Sequence, residues 1–273
     1  MKFRGPLFAT VHARTYSRSK PDGTKETWDD TVERVVRGNT DLVDSQHIAD
    51  GEREQLLELI NDLHLTPAGR HLWSGGVEGS SHTFNCIVNG WGPHLADHCV
   101  GLMSGLMVGA GSGSNYSLDL VAALPTMAPK AVELKVGCVS LHPDFAEVAP
   151  DSDLSQSPAV FVVPDSREGW CSALQLLLDT AEKDGGPVLI DVSEVRPRGS
   201  DIKGFGGTAS GPGPLVKMLR DIAAVLANSA GRFLTSMELM EIDHIISECV
   251  IAGNQRRSAR MSIMHWRSPQ IHE

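Results

Sequence analysis

Long apolar runs are missing from this 273-residue sequence, since no stretch approaches the roughly 18 apolar residues of a membrane-spanning helix. Positive charge is also scarce, with 24 lysines and arginines against 34 aspartates and glutamates, which gives a formal net charge of −10. General binders of nucleic acid or anionic membranes need an excess of lysine and arginine. The composition therefore argues against nucleic-acid and membrane partners, and an anionic ligand would need a local basic pocket.

Cysteines are few and widely spaced. There are five, an odd number, and they form neither a CxxC pair nor a Cys/His zinc pattern: Cys86, Cys99, Cys138, Cys171 and Cys249. A disulfide framework and a metal site are therefore not expected, and a reducing cytosol is the default compartment. No long apolar run follows the first six residues, so a secretory signal is not expected either. The sequence predicts a cytoplasmic protein.

Aromatic residues make up only 5% of the chain, but an apolar content of 41% and a charged content of 21% are ordinary for a globular protein. Residues 15–64 place apolar side chains, such as Trp28 and Val32, at helical spacing. Near residue 66 the local composition becomes rich in glycine, serine and proline. The pattern predicts a helical region over residues 1–65 and a second domain over residues 66–273.

The second domain alternates short apolar runs with longer helical patterns, which predicts α/β architecture. The runs and patterns are, in order, Phe84–Val88, Leu95–Val108, Val160–Val163, Glu168–Lys183 and Val188–Val192. Two cap-like patterns, at Asp165–Glu168 and at Thr235–Glu238, predict helix starts, and the second of these helices is expected to end at Gly253.

Two segments of the second domain could carry chemistry on a small ligand. Cys86 lies in the apolar run Phe84–Val88, where a cysteine is usually a small buried hydrophobe and less often a redox thiol. Gly109–Ser117 follows a helix and has GxGxG spacing, so it misses the dinucleotide-binding fingerprint in spacing and in context. A tight turn explains its glycines about as well as close approach of the backbone to an anion.

Two further segments could contact phosphate. Arg196–Ser200 leads to the uncharged, glycine-rich run Gly204–Pro214 and then to a helix, so arginines and backbone N–H groups could cradle a phosphate. A long flexible surface loop explains this pattern equally well. Gly253–Arg260 places three arginines after the C-terminus of a helix. A solvated basic helix end is the more common interpretation, and a contact with a nucleoside triphosphate is the more specific one.

Taken in order, these strings resemble those of the monomeric-type class II ribonucleotide reductases, which depend on adenosylcobalamin. The similarity spans nearly the whole chain, and Pro67–Trp73 with Asn85–Cys86 resembles the region of the first barrel strand. The strings that carry the resemblance are Thr15–Arg18, Glu26–Trp28, Pro67–Trp73, Asn85–Cys86, Leu106–Ser117, Asp165–Trp170, Arg196–Gly199, Phe205–Pro212 and Ala252–Ala259.

The resemblance implies a fold and a reaction. The fold is an N-terminal helical region followed by the first half of a ten-stranded α/β barrel. The reaction is reduction of the 2′-hydroxyl of a ribonucleoside diphosphate or triphosphate through a thiyl radical, which adenosylcobalamin would generate. Cys86 matches the family cysteine that reduces the 2′ position and then forms a disulfide with a partner cysteine.

The resemblance also implies ligand contacts and partners. The backbone at Asn85, Gly109 and Gly111 would lie near the substrate. Possible phosphate or cofactor contacts are Arg196, Gly206, Gly207, Ser210, Arg256 and Arg257. The implied partners are a ribonucleotide substrate, a deoxynucleotide effector at a separate site, and a thioredoxin-type reductant. No residue is expected to bind a metal directly.

Several features of the family are absent from the sequence. They are the radical-bearing cysteine in an Asn-Pro-Cys-Gly-Glu string, the second redox cysteine and the C-terminal cysteine pair, all of which lie beyond the position of Glu273 in family members. We therefore expect catalysis only when this chain is joined to the C-terminal half of the reductase, whether the gene is split, interrupted by an intein or simply longer.

Two other hypotheses stay open. The chain could be a non-catalytic nucleotide-binding or regulatory module that kept the loops and lost the chemistry. Alternatively, the family assignment could hold with a radical generator other than cobalamin. The strings Phe205–Pro212 and Ala252–Ala259 resemble class II, and the sequence has no di-iron or glycyl-radical feature, which favours cobalamin.

Overall fold

The computed structural model describes residues 5–77, 84–138, 142–144, 154, 159–202, 208–252 and 256–271, with residues 251, 252, 256 and 257 described by their backbone alone. The chain divides into two units, Met1–Thr83 and Phe84–Glu273. Among the described residues, no helix combines the length and the apolar character needed to cross a membrane.

The first unit is helical. Its helices are α1 (Pro6–Val11), α2 (Trp28–Thr40), α3 (Glu52–Asn61) and α4 (Gly69–Ser74), with a π-helical turn at His12–Tyr16 and a 3₁₀ turn at Ser45–His47. α2 begins at Trp28 because Thr27 and Asp30 form a reciprocal capping box. The buried core consists of Trp28, Val32, Val35, Val36, Ile60 and Leu72. The helical spacing predicted for Trp28 and Val32 is thus confirmed.

The segment 67–73 lies in the first unit, where residues 69–74 form α4. Its likeness to the region of the first barrel strand stays a prediction. Gly69 permits close packing there, since a β-carbon on it would lie 2.6 Å from the Tyr16 hydroxyl. The buried side chains of Arg70 and Leu72 hold the helix inside this unit.

One largely buried ion pair, with side chains 15% and 10% exposed, organises the first unit. The Arg34 guanidinium donates to both carboxylate oxygens of Glu26, at 2.7 and 2.9 Å. It also donates to the carbonyl oxygens of Leu72, at 2.9 Å, and of Gly75, at 2.5 Å, near the end of α4. Burial raises the pKa of Glu26, but the hydrogen bonds and the charge of Arg34 outweigh it and hold that pKa below its ordinary value.

The second unit is α/β, as the alternating sequence patterns predict. Its strands are β1 (Cys86–Val88), β2 (Gly111–Asn115), β3 (Val132–Gly137), β4 (Phe161–Val162), β5 (Gly186–Asp191), β6 (Ile251–Ala252), β7 (Arg256–Arg257) and β8 (Ala259–Ile263). Its helices are α5 (Leu95–Met107), α6 (Leu118–Val121), α7 (Arg167–Lys183), α8 (Gly213–Asn228) and α9 (Ser236–Cys249).

The strands of the second unit form two three-stranded parallel sheets, in the orders β1-β2-β8 and β3-β5-β4, and an antiparallel pair of β6 and β7. Helices α5, α7, α8 and α9 bury one apolar core, which includes Leu102, Leu177, Leu219 and Ile246. Parallel strands need such crossover connections. The described residues show these two sheets, and the ten-stranded barrel stays a prediction.

Two helix termini in the second unit differ from their predicted positions. The N-cap of α7 is Ser166, which accepts a hydrogen bond from the Gly169 N–H at 2.9 Å, because the side chain of Asp165 pairs with Arg196 instead. α9 ends at Cys249, before the predicted Gly253, and β6 follows it directly. The capping box predicted at Thr235 is confirmed.

The N-terminus of α5 is attached to α7 by one carboxylate. Glu182 lies 2.5 Å from His94 Nδ1 through its Oε1 atom and accepts from the Leu95 N–H through its Oε2 atom, at 3.1 Å. Glu182 is 6% exposed and His94 is 54% exposed. The hydrogen bond to Glu182 raises the pKa of His94 above its ordinary value.

Replacing Arg34 by alanine should destabilise the first unit, because the largely buried Glu26 would lose its counter-charge and keep only the Arg18 N–H and the Thr31 hydroxyl as donors. Breaking a fully buried pair costs about 3–5 kcal/mol, and for this partly exposed pair we expect a loss of about 2–3 kcal/mol. Urea titration of the full chain, with hydrogen exchange of the α2 amides as the readout, measures this loss. The control is Arg53→Ala, which breaks an exposed pair with Asp41 and should cost at most about 1 kcal/mol. Equal losses in the two variants would contradict the prediction.

The contact between His94 and Glu182 should make unfolding depend on pH. The pKa of His94 is raised from 6.5 in the folded state, so its contribution to stability is fully present below that value and is lost as the pH rises through the folded-state pKa. Glu182→Gln removes the charge and keeps an oxygen for the Leu95 N–H. We expect this variant to lower the urea midpoint more at about pH 6 than at about pH 8.5. A deficit that grew with pH would show the opposite sign.

Candidate active site

One face of the sheet β1-β2-β8 is open. The register pairs Cys86 with Gly111 and Val88 with Gly113, and β8 continues the same pattern on the other side of β2. Paired residues of parallel strands point to the same side of a sheet. This front face consists of Cys86, Val88, Gly111, Gly113, Asn115, Ala259, Met261 and Ile263. Its side chains are largely exposed, up to 90% at Val88.

The strand β2 lines the front face with backbone at its two glycines. A β-carbon on Gly111 would lie 3.4 Å from the Cβ atom of Ala259 and 3.5 Å from the carbonyl oxygen of Asn85. The Gly111 N–H donates to that same oxygen at 2.7 Å. The glycines therefore leave a shallow groove whose floor is backbone and whose walls are side chains of β1 and β8. Such a floor lets a ligand approach the main chain closely.

Gly109 has a structural role of its own. It follows the last turn of α5 with a φ of +82°, and its N–H donates to the carbonyl oxygen of Leu106 at 2.8 Å. A left-handed residue at this place ends a helix, and glycine adopts it without strain. Gly109 thereby turns the chain from α5 into β2, at the amino end of the groove.

The back of the same sheet carries a buried polar chain. The Tyr116 hydroxyl donates to Asp243 Oδ2 at 2.5 Å, and His98 Nε2 donates to the same oxygen at 2.9 Å. Arg260 Nη1 donates to the Tyr116 hydroxyl at 3.0 Å. His98, Tyr116 and Asp243 are 0% exposed. Burial and the neighbouring carboxylate raise the pKa of Tyr116, which keeps the phenol protonated.

Aromatic and amide groups fix the imidazole of His98. The Trp91 ring stacks on it with centroids 3.6 Å apart, and the Trp91 indole N–H donates to the Asn115 carbonyl oxygen at 2.6 Å. Asn89 Nδ2 lies 3.0 Å from His98 Nδ1 and donates to the His98 carbonyl oxygen at 2.8 Å. The carboxyl ends of β1 and β2 are thus tied to α5 through His98.

The five cysteines differ sharply in their surroundings. Cys86 is exposed, and Cys99, Cys171 and Cys249 are buried. Burial raises the pKa of Cys171 to about 11 and that of Cys249 to about 12, and it raises the pKa of Cys99 well above its ordinary value. Cys138 is half-buried, and burial raises its pKa as well. A thiolate is the reactive form of cysteine, so Cys86 has the best access for chemistry.

A second candidate site is a cleft of about 170 Å³, open to solvent, that includes Asp165, Trp170, Arg196 and Ser210 in its lining. Arg196 Nε donates to both carboxylate oxygens of Asp165, at 3.0 and 2.9 Å, and the Arg196 N–H donates to the same group at 3.1 Å. Both side chains are about one-third exposed, at 35% and 36%. The cleft thus offers an oriented guanidinium beside an aromatic wall.

The structure brings together some of the site residues predicted from the sequence. Cys86 and Gly111 lie on the front face, and the Asn85 carbonyl oxygen accepts from the Gly111 N–H at its edge. Arg196 and Ser210 line the cleft. Gly206 and Gly207 lie outside the described residues. Arg256 and Arg257 are described by their backbone, which forms β7 against β6.

Sequence reasoning missed His98, Asp243 and Arg260. A signal for the first two was present, because each is a polar residue on an otherwise apolar helix face: His98 lies between Leu95 and Leu102, and Asp243 follows Ile242. A buried ionisable residue of this kind needs a partner. The partners of Asp243 are His98, 145 positions away along the chain, and Tyr116, 127 positions away, so no local pattern points to them.

Two family models match the chain. The model described as "Ribonucleotide reductase alpha domain" matches residues 1–77. The model described as "B12-dependent ribonucleotide reductase, insertion domain" matches residues 132–226. The first match covers the helical unit up to just past α4, and the second runs from β3 to near the end of α8.

Curated relatives and a solved structure match almost the whole chain. The chain is 46% identical to a putative adenosylcobalamin-dependent ribonucleoside-triphosphate reductase of Mycobacterium phage D29, over 98% of this chain and 41% of that protein. It is 32% identical to the adenosylcobalamin-dependent ribonucleoside-triphosphate reductase of Lactobacillus leichmannii, over 95% of this chain and 41% of that protein. A crystal structure of a B12-dependent (class II) ribonucleotide reductase matches with a TM-score of 0.78 at 30% identity. The match covers 94% of this chain and 41% of that chain. The chain therefore spans about 41% of the length of these relatives.

Alkylation of the native chain should label Cys86 first. Its thiol is exposed, whereas Cys99 and Cys249 are buried with raised pKa values and should react only after unfolding. Iodoacetamide labelling followed by mass spectrometry of peptides measures the order. In Cys86→Ser the fast phase should vanish and the slow phases should stay unchanged. Labelling of Cys171 ahead of Cys86 would contradict the exposure of the front face.

Proposed function

We propose that this chain, which corresponds in sequence and fold to the N-terminal part of the adenosylcobalamin-dependent (class II) ribonucleotide reductases, supplies the substrate-reducing face of such an enzyme. The observation that carries the proposal is the single exposed cysteine, Cys86, beside a groove floored by the glycines of β2. The enzyme would convert ribonucleotides, as the triphosphate by analogy with the relatives, to deoxyribonucleotides. It would do so only with the remaining part of the reductase, which completes the ten-stranded barrel.

Cys86 is the proposed reductant of the sugar. Two thiols would together supply two electrons and two protons, the 2′-hydroxyl would leave as water, and the thiols would end as a disulfide. Cys99, Cys171 and Cys249 are buried, and half-buried Cys138 follows β3 of the other sheet, so the partner thiol would come from the remaining part of the reductase. An external dithiol of the thioredoxin type would then reduce the disulfide and restore both thiols.

The groove along β2 would hold the nucleotide sugar. Asn85, Gly109 and Gly111 would present backbone to it, because glycine carries no side chain that could block the approach. Asn85 uses its carbonyl oxygen for the Gly111 N–H, which fixes the end of β1 beside the groove. The sugar would thereby be held against the strand that carries Cys86.

The cleft that contains Arg196 and Ser210 is the proposed phosphate site of a nucleotide. Arg196 supplies guanidinium donors, although Asp165 offsets its charge, and Ser210 supplies a hydroxyl. The half-buried ring of Trp170 offers a flat wall for a base. Gly206, Gly207, Arg256 and Arg257 remain proposed phosphate or cofactor contacts. A deoxynucleotide effector is the proposed second ligand of the chain.

Adenosylcobalamin is the proposed cofactor, and the front face fits such a group. A large, flat ring system needs an extended apolar surface without fixed charge, and Val88, Met261 and Ile263 provide exposed apolar side chains on the front face. These residues would contact the group together with the remaining part of the reductase. When bound, adenosylcobalamin supplies the radical that starts the reaction.

Co-expression tests this function. The full chain is combined with the C-terminal part of the Mycobacterium phage D29 relative, and the conversion of ribonucleoside triphosphates is assayed with adenosylcobalamin and a dithiol. We expect turnover from the combination and none from either part alone. Cys86→Ser should abolish turnover, whereas Cys171→Ser, a buried cysteine on α7, should retain most of it.

The outcomes separate the hypotheses. Cobalamin-dependent turnover by the chain alone would refute the need for a second part. Tight nucleotide binding without turnover in any combination would favour a non-catalytic module. Turnover that needs no cobalamin would point to another radical generator in the same family.

A further inference from the structure

The strand β2 lacks the apolar side chains that usually pack a strand against neighbouring helices. Its five residues, Gly-Ser-Gly-Ser-Asn, include no apolar side chain, so burial of apolar surface does not hold it against the helices. The side chains on its back, Ser112 and Ser114, are hydroxyls with 3% and 1% exposure. Backbone pairing joins β2 to β1 and β8. This pairing does not fix the distance between the strand and the helices α5 and α9.

Tyr116 provides an anchor directly after β2. Its phenol donates to Asp243 on α9 at 2.5 Å, and its carbonyl oxygen accepts from Ser236 Oγ, at the start of α9, at 2.8 Å. Its N–H donates to the carbonyl oxygen of Ile263, at the end of β8, at 2.8 Å. Hydrogen bonds are short and directional, so a shift of β2 along its length would break them.

Asp243 extends the anchor to two further elements. It accepts a hydrogen bond from His98 of α5, and Arg260 of β8 donates to the hydroxyl of Tyr116. One chain of hydrogen bonds therefore joins β8, β2, α9 and α5 behind the groove. The carboxylate and the guanidinium lie on either side of the Tyr116 hydroxyl, and their opposite charges compensate each other where little water screens them.

We propose that Tyr116 and Asp243 are positioning residues for the front face. By fixing the depth of β2, they set the shape of the groove beside Cys86 without touching its ligand, since Tyr116 follows the back-facing alternation of Ser112 and Ser114. The identity of the ligand as a nucleotide rests on the proposed function. The placement of β2 does not.

The test is Tyr116→Phe in the full chain, which removes one oxygen from the middle of the hydrogen-bond chain. The matched control is Tyr16→Phe, at the only other tyrosine of the sequence, in the first unit. Three quantities are measured: hydrogen exchange of the amides of residues 111–115, the alkylation rate of Cys86, and the Kd for ATP. ATP serves as the ribonucleoside triphosphate probe.

We expect exchange across residues 111–115 to rise, the alkylation rate of Cys86 to change, and the Kd for ATP to increase by up to about tenfold. The increase is limited because only part of the free energy of the lost hydrogen bond reaches a ligand that Tyr116 does not touch. Exchange in α7 and α8 should stay as in the unsubstituted chain, and Tyr16→Phe should alter none of the three quantities. Unchanged exchange in β2 with an unchanged Cys86 rate would overturn the proposal. A uniform rise in exchange that includes α7 and α8 would also overturn it, because Tyr116 would then only stabilise the whole unit.

A second variant and a separate readout keep the test decisive. If Tyr116→Phe does not fold, Arg260→Lys takes its place, since this half-buried residue donates to the same hydroxyl from β8. It should shift exchange in β2 in the same direction, and no shift would overturn the proposal. If the unsubstituted chain binds no ATP, the nucleotide site needs the remaining part of the reductase, and the exchange and alkylation data alone decide the positioning role. The proposed function is tested separately, by the turnover of the combined parts. If ATP binds and its Kd is unchanged while exchange in β2 rises, the positioning role is refuted.

Discussion

Asp243 is a carboxylate with no exposed surface, and the arrangement of the second unit depends on the donors that reach its Oδ2 atom. An ionised carboxylate away from water is costly unless donors reach it. The donors come from different parts of the unit, His98 from α5 and Tyr116 from the end of β2. The sheet and the two helices must therefore meet at this point in one geometry, which apolar packing alone would not enforce.

The two faces of the sheet around β2 serve different purposes. Glycine weakens a strand, because it packs no side chain and loses more conformational freedom on folding. Pairing with β1 on one side and β8 on the other offsets part of that cost. The polar chain behind the strand supplies the rest of the anchoring. The glycines on the front keep the groove beside Cys86 free of side chains. The hydrogen bonds behind the strand give that groove a fixed shape.

Much of the fold could be predicted from the sequence, because local patterns determine it. The spacing of apolar residues predicts α2 and α7, and the capping box at Thr235 predicts the start of α9. Long-range pairs decide what local patterns could not. The segment around Leu72 is a helix of the first unit, where Arg34 binds the carbonyl oxygens near its end. Asp165 pairs with Arg196, 31 positions away, and leaves the cap of α7 to Ser166.

The candidate site was only partly predictable for the same physical reason. Cys86 and Gly111 could be found because their strings resemble those of a family, and the structure places them on neighbouring strands. The residues behind the groove belong to α5, β2, α9 and β8, and no string joins them. Their presence follows instead from a requirement of the site. A strand that must expose its backbone to a ligand cannot be held by apolar side chains on that face, so its anchors have to lie behind it. Buried hydrogen bonds then provide a fixed position where apolar contacts, which tolerate small shifts, would not.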